Sequence, residues 1–130
     1  MDKTAKLELA QTIIGYRFEQ IDLLWEALQA AGSGVPSLNG HYLHEGNKSL
    51  AIVGDKLLGL HLAKIGRTRN ERIGTINDRI STHANNAHLQ TGIQVQPKIK
   101  STTVEAVIAA AYYDGKTDAV QTVIDNLGII

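Results

Sequence analysis

The stretch NKSLAIVGDKLL, residues Asn47–Leu58, combines a helical pattern of apolar residues with an unexpected acid. Its apolar residues, continued to about Ile65, recur every three or four positions, as on one face of a helix. These residues are Leu50, Val53, Leu57, Leu60 and either Leu62 or Ala63. Asn47 is a suitable N-cap for this helix. Gly54 and Asp55 interrupt the apolar run, so a carboxylate in a helix that the pattern predicts to be buried needs a reason.

The rest of the chain is also predicted to be helical. Gly15 and Gly32 end the first two helices. Residues 33–46 are rich in Gly, Ser, Pro and Asn, which predicts a loop, and residues 93–100 look extended. The predicted helices cover residues 7–14, 16–31, 47–65, 71–92 (as one or two helices), 101–116 and 116–127. We therefore predict an all-α domain of about seven helices, with no convincing strands.

The composition is that of one neutral globular domain. The chain has 130 residues, of which 43% are hydrophobic, which suits a single packed domain over residues 1–130. Its 13 basic and 13 acidic residues balance, so binding to nucleic acid would need a local basic patch. The sequence has no cysteine, no apolar run of membrane-spanning length and no signal-peptide core. These features predict an intracellular protein, cytoplasmic or mitochondrial.

Three blocks of sequence, in matching order and spacing, resemble the ribonuclease III family. They are IGYRFEQIDLLWEAL (residues 14–28), NKSLAIVGDKLL (residues 47–58) and TTVEAVIAAAYYDG (residues 102–115). In the family the second block reads approximately NERLEFLGDAVL, and the third reads D-x-x-E-A-x-x-x-A-x-Y-x-D-G. The resemblance extends from about Leu7 to Leu127. It implies an all-α endonuclease fold that dimerises about its signature helix.

The resemblance also implies a chemistry, the cleavage of double-stranded RNA with Mg²⁺ or Mn²⁺ held by carboxylates. Hydrolysis of a phosphodiester needs an activated water and a stabilised leaving oxygen, and hard cations on acidic ligands supply both. Acids three or four residues apart lie on one helical face. Two helices can therefore deliver four carboxylates to one pocket.

This sequence keeps two of the four family acids. Asp55 and Glu105 stand at two of the positions, and they are the residues to which the resemblance assigns catalysis and metal binding. Ala51 and Thr102 replace the other two acids. Lys48 stands where the family has another glutamate, which places a positive charge one turn before Ala51. Because cation affinity depends on the number of ligand charges, we expect metal binding to be weak or lost.

Other roles for these acids stay open. Asp55 can balance a nearby Lys or Arg, and Glu105 can be the capping-box partner of Thr102. Glu45 in the preceding loop can turn inward as a substitute ligand, and Glu71 can match a further family acid, although no motif anchors that alignment. Gly54 is interpreted as a place where helices or subunits approach closely rather than as a helix break.

Two surfaces are predicted. Ile52 occupies the position of an aromatic residue that inserts into the partner subunit in the family, so a homodimer through Ile52 is expected, with ordinary core packing as the alternative. The sequence GRTRNER brings together Arg67, Arg69 and Arg72 as a site for RNA phosphates. Lys98 and Lys100 can extend this patch. The alternative is a solvated turn in which Glu71 pairs with the arginines.

The sequence thus predicts a degenerate ribonuclease III-like domain that binds structured or double-stranded RNA, as a homodimer or with a protein partner. One alternative is an active minimal endoribonuclease that uses Asp55 and Glu105. Another is a structural component of a ribosome, for example a mitochondrial one. No double-stranded-RNA-binding domain is predicted to follow the last helix. His41 and His44 are interpreted as solvated loop residues rather than metal ligands.

Overall fold

A computed structural model describes residues 2–29, 37–38, 40–82 and 97–129. Its elements in chain order are α1 (Lys3–Ile14), α2 (Ile21–Ala27), β1 (Ser37–Leu38), β2 (His41–Tyr42), α3 (Lys48–Thr68), α4 (Ile73–Thr82) and α5 (Pro97–Asn126). The predicted all-α class is confirmed, with five helices in the described ranges instead of about seven. No helix within these ranges has the length and apolar character needed to cross a membrane.

The first two helices follow the sequence signals in part. The helix α1 ends as predicted at Gly15, whose φ of +66° is a left-handed conformation that glycine adopts without strain. The helix α2 is much shorter than the predicted range of residues 16–31. Its chain becomes helical only at Ile21, because Asp114 of α5 accepts hydrogen bonds from the backbone N–H groups of Glu19 and Gln20 just before that residue. The predicted helix end at Gly32 lies outside the described residues.

The segment predicted as a loop contains a minimal hairpin. Strands β1 and β2 are two residues long and pair antiparallel, with Ser37 opposite Tyr42 and Leu38 opposite His41. The predicted helical range 71–92 begins as α4, and its part beyond Thr82 lies outside the described residues up to Pro97.

The helix α5 combines two predicted helices and part of the segment predicted as extended. The prediction of extended chain is wrong at residues 97–100, which belong to the helix. Pro97 is its first residue, where the N–H that proline lacks would have no partner within the helix anyway. The two predicted helices at 101–116 and 116–127 join at Lys116, whose φ of 61° and ψ of −151° kink the element.

The core forms where α3 packs on the central helix α5. Val104 and every residue from Ala106 to Ala111 are fully buried in α5. The buried side of α3 repeats every four residues, as Leu50, Gly54, Leu58, Leu62 and Gly66. The predicted apolar face was wrong at Leu60, which is 59% exposed. A four-residue repeat that includes two glycines is the pattern of a helix pressed closely on its neighbour.

Asn47 holds three helices together. It occupies the N-cap position of α3 as predicted, but its side chain makes no capping hydrogen bond. Instead its Nδ2 atom donates to the carbonyl oxygen of Ala27 at 2.6 Å and to Oγ1 of Thr103 at 3.4 Å. Since Asn47 is only 2% exposed, these bonds connect α2, α3 and α5 inside the core.

Candidate functional site

The two helices that carry Asp55 and Glu105 meet at Gly54. A Cβ atom on Gly54 would overlap the carbonyl group of Glu105 and lie 3.0 Å from its Cα. The backbones of α3 and α5 are therefore in contact at this point, as predicted for Gly54. Asp55 follows Gly54 directly, so both family acids belong to one helix crossing.

The two family positions on α3 differ in burial. Ala51 is 6% exposed and supplies only a methyl group. The Asp55 side chain is 53% exposed, and its Oδ2 atom lies 3.7 Å from Nζ of Lys56. The interpretation of Asp55 as an acid inside a buried helix was therefore wrong, because it lies on the solvent side of α3. An ion pair as exposed as this one contributes little to stability.

The two family positions on α5 lie one helical turn apart. Thr102 and Glu105 are both half-buried, and a spacing of three residues puts them on the same helical face. The interpretation of Glu105 as a capping-box partner of Thr102 was wrong, because α5 begins at Pro97 and Thr102 lies inside the helix. This face of α5 therefore presents one carboxylate and one hydroxyl.

Lys48 and Glu45 pair with each other at the surface. The Nζ atom of Lys48 lies 3.7 Å from Oε2 of Glu45, and their side chains are 54% and 72% exposed. Glu45 therefore balances part of the Lys48 charge. Its exposed position beside Lys48 gives no support for a role as a substitute metal ligand.

The donors at the crossing do not fit the metal site that the resemblance implies. Magnesium needs several oxygen ligands in near-octahedral order. The four family positions provide the carboxylates of Asp55 and Glu105, the Thr102 hydroxyl and the Ala51 methyl. Within the described residues, no three His, Cys, Asp or Glu side chains are grouped so that they could hold a metal ion. No metal-dependent step follows from this set of side chains.

Ile52 is exposed on α3, on the turn that holds Ala51. Its side chain is 63% exposed, which makes it one of four large exposed hydrophobic residues in the described ranges. The alternative that Ile52 is ordinary core is therefore wrong for the isolated chain.

The three predicted RNA-contacting arginines lie around one turn. Arg67 lies in the last turn of α3, Arg69 is its C-cap and Arg72 directly precedes α4, and all three are exposed. The side chains of Lys98 and Lys100, the predicted extension of this patch, lie outside the described residues.

Glu71 pairs with Arg79 of α4. Arg79 donates through Nη1 and Nη2 to the two carboxylate oxygens of Glu71, and both side chains are largely buried. The hydrogen bonds from Arg79 lower the pKa of Glu71, with smaller contributions from the charges of Arg79 and Arg69, against the effect of burial. The predicted pairing of Glu71 with the arginine cluster is thus at most secondary, since its main partner is Arg79.

Sequence reasoning missed the role of Asp114, within the family-like motif YYDG. Its carboxylate accepts hydrogen bonds from the Tyr16 hydroxyl at 2.6 Å and from the backbone N–H groups of Gln20 at 2.8 Å and Glu19 at 3.1 Å. Burial acts to raise the pKa of Asp114, but these three hydrogen bonds outweigh it and lower the pKa. Burial and the Asp114 carboxylate together raise the pKa of Tyr16 to about 12. Only the match to the family motif singled out Asp114 in the sequence, because its partners are about 95 residues away.

Fold and site together define an all-α domain with a reduced set of acids where two helices cross. The chain is similar to a ribonuclease 3 from Syntrophobacter fumaroxidans (strain DSM 10017 / MPOB), with 28% identity over 150 aligned positions. The match covers 93% of this chain and 58% of the relative, so the chain spans little more than half of that protein's length. No protein-family model matches the sequence, and no solved structure matches it significantly. The predicted resemblance to the ribonuclease III family is confirmed by this similarity.

Proposed function

We propose that this chain is a ribonuclease III-like domain that binds structured, double-stranded RNA and no longer cleaves it. The observation that carries the proposal is the pair Ala51 and Thr102, at positions where the family has carboxylates. A methyl group and a hydroxyl in place of two carboxylates remove two negative charges from the metal site. The remaining pair, Asp55 and Glu105, leaves Mg²⁺ or Mn²⁺ too few charged ligands.

The arginine turn is the proposed RNA surface. Arg67, Arg69 and Arg72 are exposed and close together in sequence, and guanidinium groups suit phosphate oxygens in geometry and charge. Because the neighbouring Glu71 carboxylate is bound on both oxygens by Arg79, it neutralises these arginines less than a free acid would. A neutral chain can thus present a locally basic surface.

The proposed assembly is a homodimer through the exposed side of α3. Ile52 supports it, because 63% of this isoleucine is exposed and covering it with a partner would favourably remove apolar surface from water. In such a dimer two arginine turns would contact one RNA duplex. A protein partner on the same face, including one within a ribosome, is the alternative occupant.

An active minimal endonuclease is the second candidate function. The contact between Gly54 and Glu105 favours it, because it keeps the two surviving family acids at the same helix crossing. Such an enzyme would need further metal ligands from water or from the RNA.

A binding measurement tests the RNA proposal. Pure protein is titrated into a labelled duplex RNA of about 30 base pairs with EDTA present, so that no cleavage interferes. We expect saturable binding that weakens with salt, and at least about tenfold weaker binding for the double variant Arg67→Ala with Arg72→Ala. Arg17→Ala removes another exposed arginine, which lies 50 residues before Arg67 in the sequence and pairs with Glu8. This control variant is expected to bind like wild type. Wild-type protein that fails to bind the duplex would contradict the proposal.

A further inference from the structure

A cavity separates the C-terminal half of α3 from the second half of α5. Its volume is about 400 Å³, within the range typical of small-molecule sites. Its apolar wall consists of Leu57, Leu60, Ile65, Tyr112 and Val120. Neither Asp55 nor Glu105 lines it, so it is distinct from the helix crossing described above.

The charged groups that line the cavity are positive in the part of the chain that the structure describes. Lys64 and Arg69 line it, and no Asp or Glu among the described residues does. Glu71 lies near enough for the Arg69 charge to lower its pKa, but both of its oxygens accept from Arg79. The two cations therefore favour an anionic group next to the apolar wall.

One polar atom in the wall has no hydrogen-bond partner among the residues that the structure describes. The Nε2 atom of His61 is buried and makes no hydrogen bond with the described residues. A buried ring nitrogen without a hydrogen bond carries a desolvation penalty, which a ligand in the cavity can remove once the His61 ring rotates to turn this atom toward it. Thr117 and Gln121 add a hydroxyl and an amide to the same wall.

We propose that this cavity binds a nucleoside monophosphate unit, either as a free nucleotide or as one nucleotide of an RNA strand. The base lies against the apolar wall and Tyr112, because bases stack on aromatic and apolar surfaces. Its edge bonds to His61, and the phosphate pairs with Lys64 and Arg69, whose charge-assisted hydrogen bonds are the strong ones. A planar apolar ring with one attached phosphate matches both parts of the lining. The inference does not require the proposed function, since it holds for a free nucleotide as well.

The inference is tested by titrating the protein with AMP, adenosine and inorganic phosphate. Calorimetry measures each affinity, and the NMR signals of the His61 ring report whether the ligand reaches the cavity. We expect AMP to bind at least about tenfold more tightly than adenosine or phosphate, and to shift the His61 signals. Lys64→Ala and Arg69→Ala are each expected to weaken AMP binding about tenfold. His61→Leu is expected to weaken it severalfold, whereas His61→Gln, which retains a hydrogen-bonding amide, retains more of the affinity. Arg17→Ala is the charge-matched control, and circular dichroism establishes that each variant folds.

Equal affinity for AMP and adenosine, or unchanged AMP binding in Lys64→Ala and Arg69→Ala, would overturn the inference. His61 signals that shift only with protein concentration would also overturn it, because a second copy of the chain would then occupy the cavity. A single-stranded RNA pentamer separates the two sources: tighter binding than AMP at the same site indicates an RNA nucleotide, and weaker binding indicates a free one. Failure of duplex RNA to bind would contradict the proposed function and leave the AMP result intact.

Discussion

Gly54 in α3 lies directly against the backbone of Glu105 in α5, with no room between them for a side chain. This contact fixes how closely the two helices approach, and it places the position after Gly54, Asp55, at their crossing. A glycine inside a helix costs about 1 kcal/mol relative to alanine. The close packing of α3 on α5 offsets that cost.

Gly54→Ala is expected to lower the free energy of unfolding by about 3 kcal/mol or more, because the new methyl group overlaps backbone atoms that cannot move independently. Chemical denaturation followed by circular dichroism measures the change. Gly59→Ala, in the same helix, is the matched control. Its Cβ would meet Ile80 at an ordinary 3.9 Å, so that variant should be neutral or more stable by about 0.5–1 kcal/mol. Equal effects of the two substitutions would contradict the close helix contact.

Tyr16→Phe is expected to destabilise the fold by about 1–2 kcal/mol, because the variant loses the 2.6 Å hydrogen bond to Asp114. Tyr113→Phe removes a hydroxyl from the neighbour of Asp114 in sequence, at a position that is 45% exposed. That control should stay within about 0.5 kcal/mol of wild type. Similar unfolding midpoints for the two variants would show that the Tyr16 hydroxyl does not stabilise the start of α2.

The raised pKa of Tyr16 predicts a loss of stability in alkali. The folded chain holds the Tyr16 proton up to a pKa of about 12, whereas the unfolded chain releases it near the ordinary value of 10.0. The contribution of Tyr16 is therefore fully present below pH 10 and is lost as the pH rises toward 12. This loss lowers the free energy of unfolding by at most about 1.4 kcal/mol per pH unit. Between about pH 8 and 11, the free energy of unfolding should therefore fall more steeply with pH for wild type than for Tyr16→Phe. Parallel curves for the two proteins would contradict the raised pKa of Tyr16.

Ile52→Lys is expected to weaken self-association at least about tenfold, because it replaces an exposed apolar side chain of the proposed dimer face with a charge. Sedimentation equilibrium measures the dissociation constant. Ile73→Lys makes the same change on α4, where the isoleucine is 77% exposed, and should leave association unchanged. A wild-type chain that stays monomeric at high concentration would rule out the homodimer and favour a different protein partner.

Local signals in the sequence predicted the fold class and several boundaries correctly. The end of α1 at Gly15 depends on a backbone conformation that glycine adopts without strain, so it can be recognised without tertiary contacts. The close approach at Gly54 was also predictable, since a glycine in an otherwise apolar helix suggests a neighbouring backbone. The family motif then indicated which helix lies against Gly54, because Glu105 belongs to that motif.

Features that depend on distant partners were not predictable from the sequence. Asn47 looked like an N-cap, but its amide bonds to Ala27 and Thr103, which lie 20 and 56 residues away. Leu60 and Leu62 were both predicted to be buried because both fit a helical pattern. They differ in burial because of the way α3 packs on α5. The exposed position of Asp55 has the same cause: burial depends on which side of α3 faces α5, and a broad apolar pattern does not fix that rotation.

We propose that this chain has kept the ribonuclease III-like fold and lost the cleavage of duplex RNA. Incubating the pure protein with long duplex RNA in Mg²⁺ or Mn²⁺, and following RNA length on a denaturing gel, is the decisive test of this proposal. We expect the RNA to stay intact, with no difference between wild type and Asp55→Asn. Metal-dependent cleavage by wild type that Asp55→Asn abolishes would contradict the proposal.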